Sequence, residues 1–459
     1  MKTKTKTKTK TYNKGLFIFR RDFRLTDNTG LIHLSKHCKT IVPIFIFTPE
    51  QITNKNKYRS NNAIQFMIES LFDLRDSIAK KGGTLLFFYG VNENVVEKCI
   101  KDMNIDVVGY NLDYTPYAIQ RDTEIVKVCS KHGVDVETAF DYYLHEPNTI
   151  TNNGGETYKK FTPYYDKTSQ TNVEVPNNAS VTNFASLTHP SHVSLEQMWS
   201  KYVVENKMLA VHGGRAEALK KLKSVVYPSD RNDLTTQTSM LSAYIKFGCV
   251  SIREVYHKFI KNKPFTRQLY WRDFYANILL ANSKVLGKSL NSNYDKIKWK
   301  TNKKWFDAWC NGTTGFPIVD AGMRQLNTTG YMHNRARLIT MCFYIKTLLL
   351  DWREAEQYFA SKLVDYDPVN NNGNIQWVMG GGADSQPYYR IFNPWLQSKE
   401  HDPDCIYIKT WIPELKDVDT KDIHTWNVNH IVDIYPKPIC DYTEQTKKVL
   451  ELYKNYLEK

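Results

Sequence analysis

Six polar side chains that sit uneasily in an apolar stretch stand together in residues 330–397: Asn334, Arg335 and Arg337 open a run rich in Leu, Ile, Met, Phe and Trp, and Asp365, Asp367 and Asn371 follow its end. Buried charge requires a partner, which leaves two arrangements open. Arg337 and Asp365 form a structural ion pair beside a polar loop, or Arg, Asp and Asn converge, with Trp and Tyr around them, on a planar polar ligand. A second set lies in TQTSMLSAYIKFGCVSIREVY (236–256), where Thr238, Ser239 and Ser242 precede a helical pattern. Hydroxyls and backbone N–H groups at such a place hold phosphate; an ordinary N-cap accounts for the same residues. A third set, Gln268, Trp271 and Arg272 in RQLYWRDFYANIL (267–279) with Trp377 further on, offers indole faces and polar groups. Taken singly, each Trp reads as core and each Arg as solvated surface.

These residues must be positioned by helices. Leu338, Ile339, Met341, Phe343, Ile345, Leu348, Leu349 and Trp352 make residues 334–362 apolar on nearly every side, which predicts one long buried helix. Residues 241–258 and 267–281 are also helical in pattern, so 196–459 is predicted to be an all-helical domain. The N-terminal part differs. Short apolar runs at 16–19, 41–47, 84–89 and 106–110 alternate with helical patterns, notably over 62–81. That alternation predicts an α/β domain over 15–140 with a doubly wound, Rossmann-like parallel sheet. Ligands of such sheets lie beyond the carboxyl ends of the strands, where Arg20, Arg21, Asp22 and Arg24 fall. No GxGxxG or Walker sequence is present, so no classical dinucleotide or triphosphate loop is expected. Residues 141–195, rich in Asn, Thr, Ser, Gly and Pro, read as a long surface connector.

At 459 residues the chain exceeds the size of a single core, consistent with two domains, and 41% hydrophobic residues suffice to fill them. The net charge is +14, of which the first 14 residues, MKTKTKTKTKTYNK, supply six lysines and no acid, leaving +8 for the remainder. Both parts favour a polyanion. The Lys-Thr repeat itself is of low complexity and is expected to be a disordered tail. No apolar run is long enough to span a membrane and no secretory pattern opens the chain, so an intracellular, soluble protein, monomeric and without membrane partners, is expected. The eight cysteines, at 38, 99, 129, 249, 310, 342, 405 and 440, form no CxxC pair, which points to free thiols and to no metal.

The motifs MHNRARL (332–338), LLLDWREAEQYF (348–359), LVDYDPVNNNG (363–373) and PYYRIFNP (387–394) stand in the order and spacing of the DNA photolyase and cryptochrome family. The chain resembles that family from about residue 15 to 438, including FRRDFRLTDN and NLDYTPYAIQRD in the sheet domain, which in the family carries an antenna chromophore (folate, deazaflavin or flavin). The resemblance implies bound FAD, contacted by Tyr227, Thr238, Ser239, Leu241, Ser242, Arg272, Asn334, Arg337, Asp365, Asp367 and Asn371. It implies ultraviolet-damaged DNA as partner, with Trp271 and Trp377 walling a pocket for a flipped lesion and Arg231, Arg335 and Arg390 facing the backbone. Reduced, light-excited FAD would donate an electron to a cyclobutane pyrimidine dimer, with Gln268 and Asn334 beside the lesion.

Four departures from the family pattern bear on that implication. Gln268 stands where class I cyclobutane photolyases have Glu; (6-4) photolyases and animal-type cryptochromes share the Gln but carry a His pair where this chain reads Met332-His333-Asn334. Met240 stands where the family has a phosphate-binding Arg, so that one contact is either lost or supplied elsewhere, for instance by Arg272. Leu338 replaces a Met of similar volume. Of three relay tryptophans, Trp309 and Trp352 are matched, whereas the position nearest the flavin is Ile375, which predicts poor photoreduction. A (6-4) photolyase or a photoreceptor without repair remain the alternatives.

Overall fold

The structure, a computed structural model, describes residues 10–431 and 433–457. Most of the expected Lys-Thr tail, residues 1–9, lies outside the described residues. The first strand, β1 (Tyr12–Phe19), already opens within residues 12–14 of that expected tail.

The sheet domain contains β1, α1 (Thr29–His37), β2 (Cys38–Phe47), α2 (Asn61–Ala79), β3 (Leu86–Tyr89), α3 (Asn92–Met103), β4 (Val107–Asn111), α4 (Pro116–Lys131) and β5 (Asp135–Ala139). All strand pairs are parallel, in the order β3-β2-β1-β4-β5. In register, Leu16 lies between Val42 and Val108. β1 and β2 read as continuous apolar runs because both faces of a parallel sheet are covered. The fifth strand was not expected from the sequence. It is a half-buried edge, with the burial alternation of Asp135–Ala139 too weak to read as a core strand. The order reverses on either side of β1, so its carboxyl end and that of β4 form the topological switch point.

The stretch 141–195 does not run only over the surface, as its composition suggested. Asp141, Tyr142, Tyr143 and Leu144 are buried, and α5 (Phe161–Thr168) packs on the helical domain. Asp141 accepts from Arg24 at 2.5 Å and from Arg253 at 2.8 Å, while Arg253 also pairs with Asp27 at 2.9 Å. One buried ionic cluster thereby joins sheet domain, connector and helical domain, each charge offset by an opposite one.

In the helical domain, the helix expected over 241–258 is two: α6 (Ser242–Lys246) and α7 (Ile252–Lys258). Gly248, at φ +63, turns the chain between them so closely against the Arg21 carbonyl that a Cβ would lie 2.3 Å from it, and Ser251 caps α7. α8 (Lys263–Ala281) follows, then α9 (Lys303–Asn311). The long helix expected over 334–362 is also divided, into α10 (Asn334–Cys342), a π-helical turn (Phe343–Thr347) and α11 (Trp352–Lys362). Leu349 is left-handed at φ +61, Leu350 bridges to Lys300, and Asp351 caps α11. Uniform apolarity hid the break, since every residue around it is buried. α12 (Pro368–Met379) then carries the polar NNNG segment. Among the described residues, no helix is long and apolar enough to cross a membrane.

Candidate functional site

A cavity of about 330 Å³ opens in the helical domain among α6, α8, α10 and α12. The sequence splits these helices at the points where their polar termini face it. Asp367 caps α12 by accepting from the Asn370 N–H at 3.0 Å. Gly373 allows α12 to lie against Tyr275 of α8, where a Cβ would meet the ring at 2.3 Å. Tyr227, Thr238, Ser239, Leu241, Ser242, Gln268, Arg272, Asn334, Arg337, Asp365, Asp367 and Asn371 all line this cavity, residues separated by up to 144 positions.

Arg337 donates Nη2 to Asp365 at 2.9 Å and Nε to the Met332 carbonyl at 2.9 Å. Ser242 Oγ donates to the same Asp365 carboxylate at 2.6 Å, so Ser242 does not cap its helix. The ion pair and the ligand site are therefore one structure: the pair forms the cavity wall. Burial opposes the Arg337 charge, but Asp365 and Tyr331 together outweigh it and raise its pKa. Thr238 Oγ1 lies 3.1 Å from the Tyr331 hydroxyl. Burial likewise pushes Asp367 up, yet Arg21, then Arg272, the Asn370 N–H and Lys246 hold it below the ordinary carboxylate range. Lys246 was not singled out from the sequence. It lines this cavity, and burial followed by the Arg21 charge lowers its pKa to about 8. An apolar neighbour, Phe247, sits under its ammonium at 3.8 Å.

In the lining of this cavity two buried donors have no partner among the described residues, Asn371 Nδ2 and Arg272 Nη2. Arg272 is otherwise held, donating Nη1 to the Tyr142 carbonyl and resting 4.4 Å from the Tyr143 ring. Unpartnered buried donors beside a polar cavity are what a ligand with acceptor atoms satisfies. With the Arg337–Asp365 wall, the hydroxyls of Thr238, Ser239 and Ser242 and the apolar Leu241, Ile375 and Phe359, the lining suits a flavin ring and a phosphate-bearing tail.

A second, open cavity of about 690 Å³ adjoins the first. Arg231, Gln268, Trp271, Arg335, Trp377 and Arg390 line it together, and Gln268, Asn334 and Arg272 belong to both walls. Trp271 stacks face to face on Phe161 of α5, with centroids 3.7 Å apart and planes 7° apart, which fixes its indole. Phe161 was not recognised beforehand because it lies in the connector. Arg335 donates to Asn232 at 2.9 Å, and Arg390 is exposed. His333 caps α10 by accepting from the Arg335 N–H at 3.1 Å. Burial and the charges of Arg337 and Arg335 lower its pKa to about 4.

Trp309 and Trp352 line neither cavity and are fully buried. Trp309 donates Nε1 to the Thr340 carbonyl at 3.1 Å and stacks on Phe359, a cavity residue, with 5.7 Å between centroids. Ile375 is buried and lines the first cavity. A further tryptophan that the sequence reading passed over, Trp299, precedes the Lys300–Leu350 bridge and so lies near the start of α11 that Trp352 opens. Its Nε1 is buried without a partner among the described residues.

A third cavity, of about 680 Å³, lies at the switch point of the sheet, lined by Arg20, Arg21, Asp113, Arg121 and Tyr117. Lys246 and Tyr366 line both this cavity and the first.

Comparison with known proteins agrees with this layout. Residues 16–182 match the family described as DNA photolyase, and residues 265–455 match the FAD binding domain of DNA photolyase. The chain is 35% identical to a deoxyribodipyrimidine photo-lyase of Buchnera aphidicola subsp. Acyrthosiphon pisum, covering 96% of this chain and 97% of that one. It is 31% identical to that of Halobacterium salinarum, over 95% and 98%. The crystal structure of an archaeal photolyase from Sulfolobus tokodaii with two FAD molecules superposes with a TM-score of 0.90 at 38% identity, covering 96% of this chain and 100% of that one. The sheet domain and the helical domain are those of one family: the chain belongs to the DNA photolyase and cryptochrome family and carries its FAD-binding domain.

Proposed function

We propose that this chain, a deoxyribodipyrimidine photo-lyase, repairs cyclobutane pyrimidine dimers in ultraviolet-damaged DNA. The observation that carries the reading is the shared wall: Gln268 and Asn334 belong at once to the flavin-type cavity and to the open cavity that gathers Trp271, Trp377 and four arginines. Two adjacent bases of one strand fused into a dimer are cheaper to extrude than intact bases, and an indole fixed by Phe161 offers them a rigid stacking face. Arg231, Arg335 and Arg390 supply charge for the flanking phosphates.

The cavity residues would hold fully reduced FAD, which on blue-light excitation would lend an electron to the dimer and regain it once the ring has split. The chain's own residues have other tasks. Asn371 and Arg337 orient the flavin edge, Asp365 holds Arg337, and Gln268 keeps a hydrogen-bond donor at the lesion without a titrating proton. His333 favours the cyclobutane over the (6-4) substrate, because its buried capping role and its pKa near 4 leave it neutral, a poor proton donor at neutral pH. The third cavity, at the sheet's switch point, is the seat for an antenna chromophore. The Sulfolobus tokodaii structure with two FAD molecules supports a flavin nucleotide there.

The test is blue-light turnover of a thymine cyclobutane dimer oligonucleotide by protein chemically reduced beforehand, with a (6-4) oligonucleotide in parallel. Restoration of the first alone is expected. Restoration of neither, with fully reduced FAD bound, would leave a light sensor without repair.

A further inference from the structure

We infer that His33, His37 and Glu137 form a binding site for a transition-metal dication of the zinc type, which clips α1 to the edge strand β5. Among the described residues, this is the group in which three potential ligand atoms lie mutually close, all within 4.8 Å of one another. His33 and His37 are one turn apart on α1, their rings 4.5 Å between centroids, so both imidazoles leave the same face of the helix. The carboxylate comes from β5, whose Glu137 pairs with Gly109 in the sheet.

The spacing accommodates a shared cation. His33 Nε2 is 3.4 Å from Glu137 Oε2, and His37 Nδ1 is 3.2 Å from both carboxylate oxygens. Ligands bound at zinc's usual bond lengths to N and O stand about 3.3–3.5 Å apart along a tetrahedral edge. The ligands are also held in advance. Asn111 fixes the first turn of α1 by accepting from the Gly30 N–H at 2.9 Å, and Thr29 Oγ1 donates to Asp141 at 2.8 Å. The other acid on the same face of β5, Asp135, is occupied by Lys10 and Tyr12, which leaves Glu137 to the histidines.

Two imidazoles and one carboxylate select the Zn²⁺, Ni²⁺ and Cu²⁺ class over Mg²⁺ and Ca²⁺, which demand more oxygens. Three protein ligands leave the fourth position to water, accessible because His33 is half exposed. The absence of paired cysteines, which argued against a metal in the sequence, does not bear on this site, and Glu137 stands a hundred positions from His37.

The experiment is calorimetric titration of the full-length, chelator-stripped protein with ZnCl₂, with MgCl₂ as a control. One Zn²⁺ site in the micromolar range and no Mg²⁺ response are expected, with thermal unfolding shifted upward by Zn²⁺. His33→Ala, His37→Ala and Glu137→Gln should each weaken Zn²⁺ at least tenfold with flavin content unchanged. Substitution by Co²⁺ should give a visible spectrum without a thiolate charge-transfer band, which separates this site from the cysteines. Absence of Zn²⁺ binding, a thiolate band, or any one variant binding as the wild type does would overturn the assignment. If His37→Ala or Glu137→Gln fails to fold, the half-exposed His33→Ala decides alone.

Discussion

Arg21, just past the end of β1, places Nη2 3.0 Å from Oδ2 of Asp367, the residue that caps the flavin-lining helix α12. A carboxylate in the wall of the helical domain's cavity thus takes its counter-charge from the sheet domain, and Arg21 is steadied in turn by Asp113 at 3.5 Å. The two domains are coupled through the site itself.

Arg21→Ala should therefore release flavin more readily and cost on the order of 3 kcal/mol of stability, because it strands a buried charge. The sign with pH follows from Asp367, whose folded pKa is depressed. Its stabilisation is present above the unfolded carboxylate range near pH 4 and is lost as pH falls through the lower folded value. Urea unfolding and flavin fluorescence across the acid range should show the variant failing at a higher pH than the wild type.

Asp273 should behave in the opposite sense. It is fully buried, accepts from the Leu144 and His145 N–H groups at 2.9 and 3.0 Å, and leaves Oδ1 unpartnered. Burial pushes its pKa up to about 7, against the lowering effect of Arg272. The protonated form favours the fold, so this contribution is present below about pH 4 and lost as pH rises through 7. Asp273→Asn keeps an acceptor for both N–H groups. It is expected to remove that loss, raising stability at pH 8 by roughly 2–4 kcal/mol relative to the wild type, read from denaturant midpoints at pH 5 and 8.

Trp271→Ala should weaken binding to dimer-containing DNA by about 1–3 kcal/mol and to undamaged DNA far less. Phe161→Ala is expected to reproduce part of this loss, since it frees the indole that Phe161 holds at 3.7 Å. Equal losses on both DNAs in a fluorescence-anisotropy titration would remove Trp271 from the lesion pocket.

Ile375→Trp should speed photoreduction of oxidised FAD while leaving turnover by chemically reduced protein unchanged. Ile375 is 3% exposed in the cavity wall, so the larger ring brings an overpacking cost of about 1–3 kcal/mol. Flavin content must be measured beside the photoreduction rate. An unaltered rate with full flavin would mean that electrons already arrive by another route.

Much of the function was legible in residue types and spacing. The alternation of apolar runs and helical patterns is a local property, so four of the five strands and the parallel sheet followed from it, and the family motifs, each a contiguous string, supplied many of the residues that line the two adjoining cavities. Tertiary structure decided what depends on residues distant in the chain. The half-buried β5 showed no clear period, the break at Leu349 lies in a segment whose uniform burial erases the helical signature, and Gly248 interrupts a run that is helical on both sides. Whether Arg337 and Asp365 form an isolated ion pair or part of a cavity wall could not be read from their types, because both arrangements use the same charges; the structure makes them a pair in the wall of a cavity, with the unpartnered Asn371 and Arg272 donors in the same lining. Arg21 on Asp367, Phe161 under Trp271 and Glu137 against His33 and His37 join positions about a hundred to several hundred residues apart. Composition and period describe neighbours along the chain, whereas such pairs exist only once the sheet and the helices have closed around their cores.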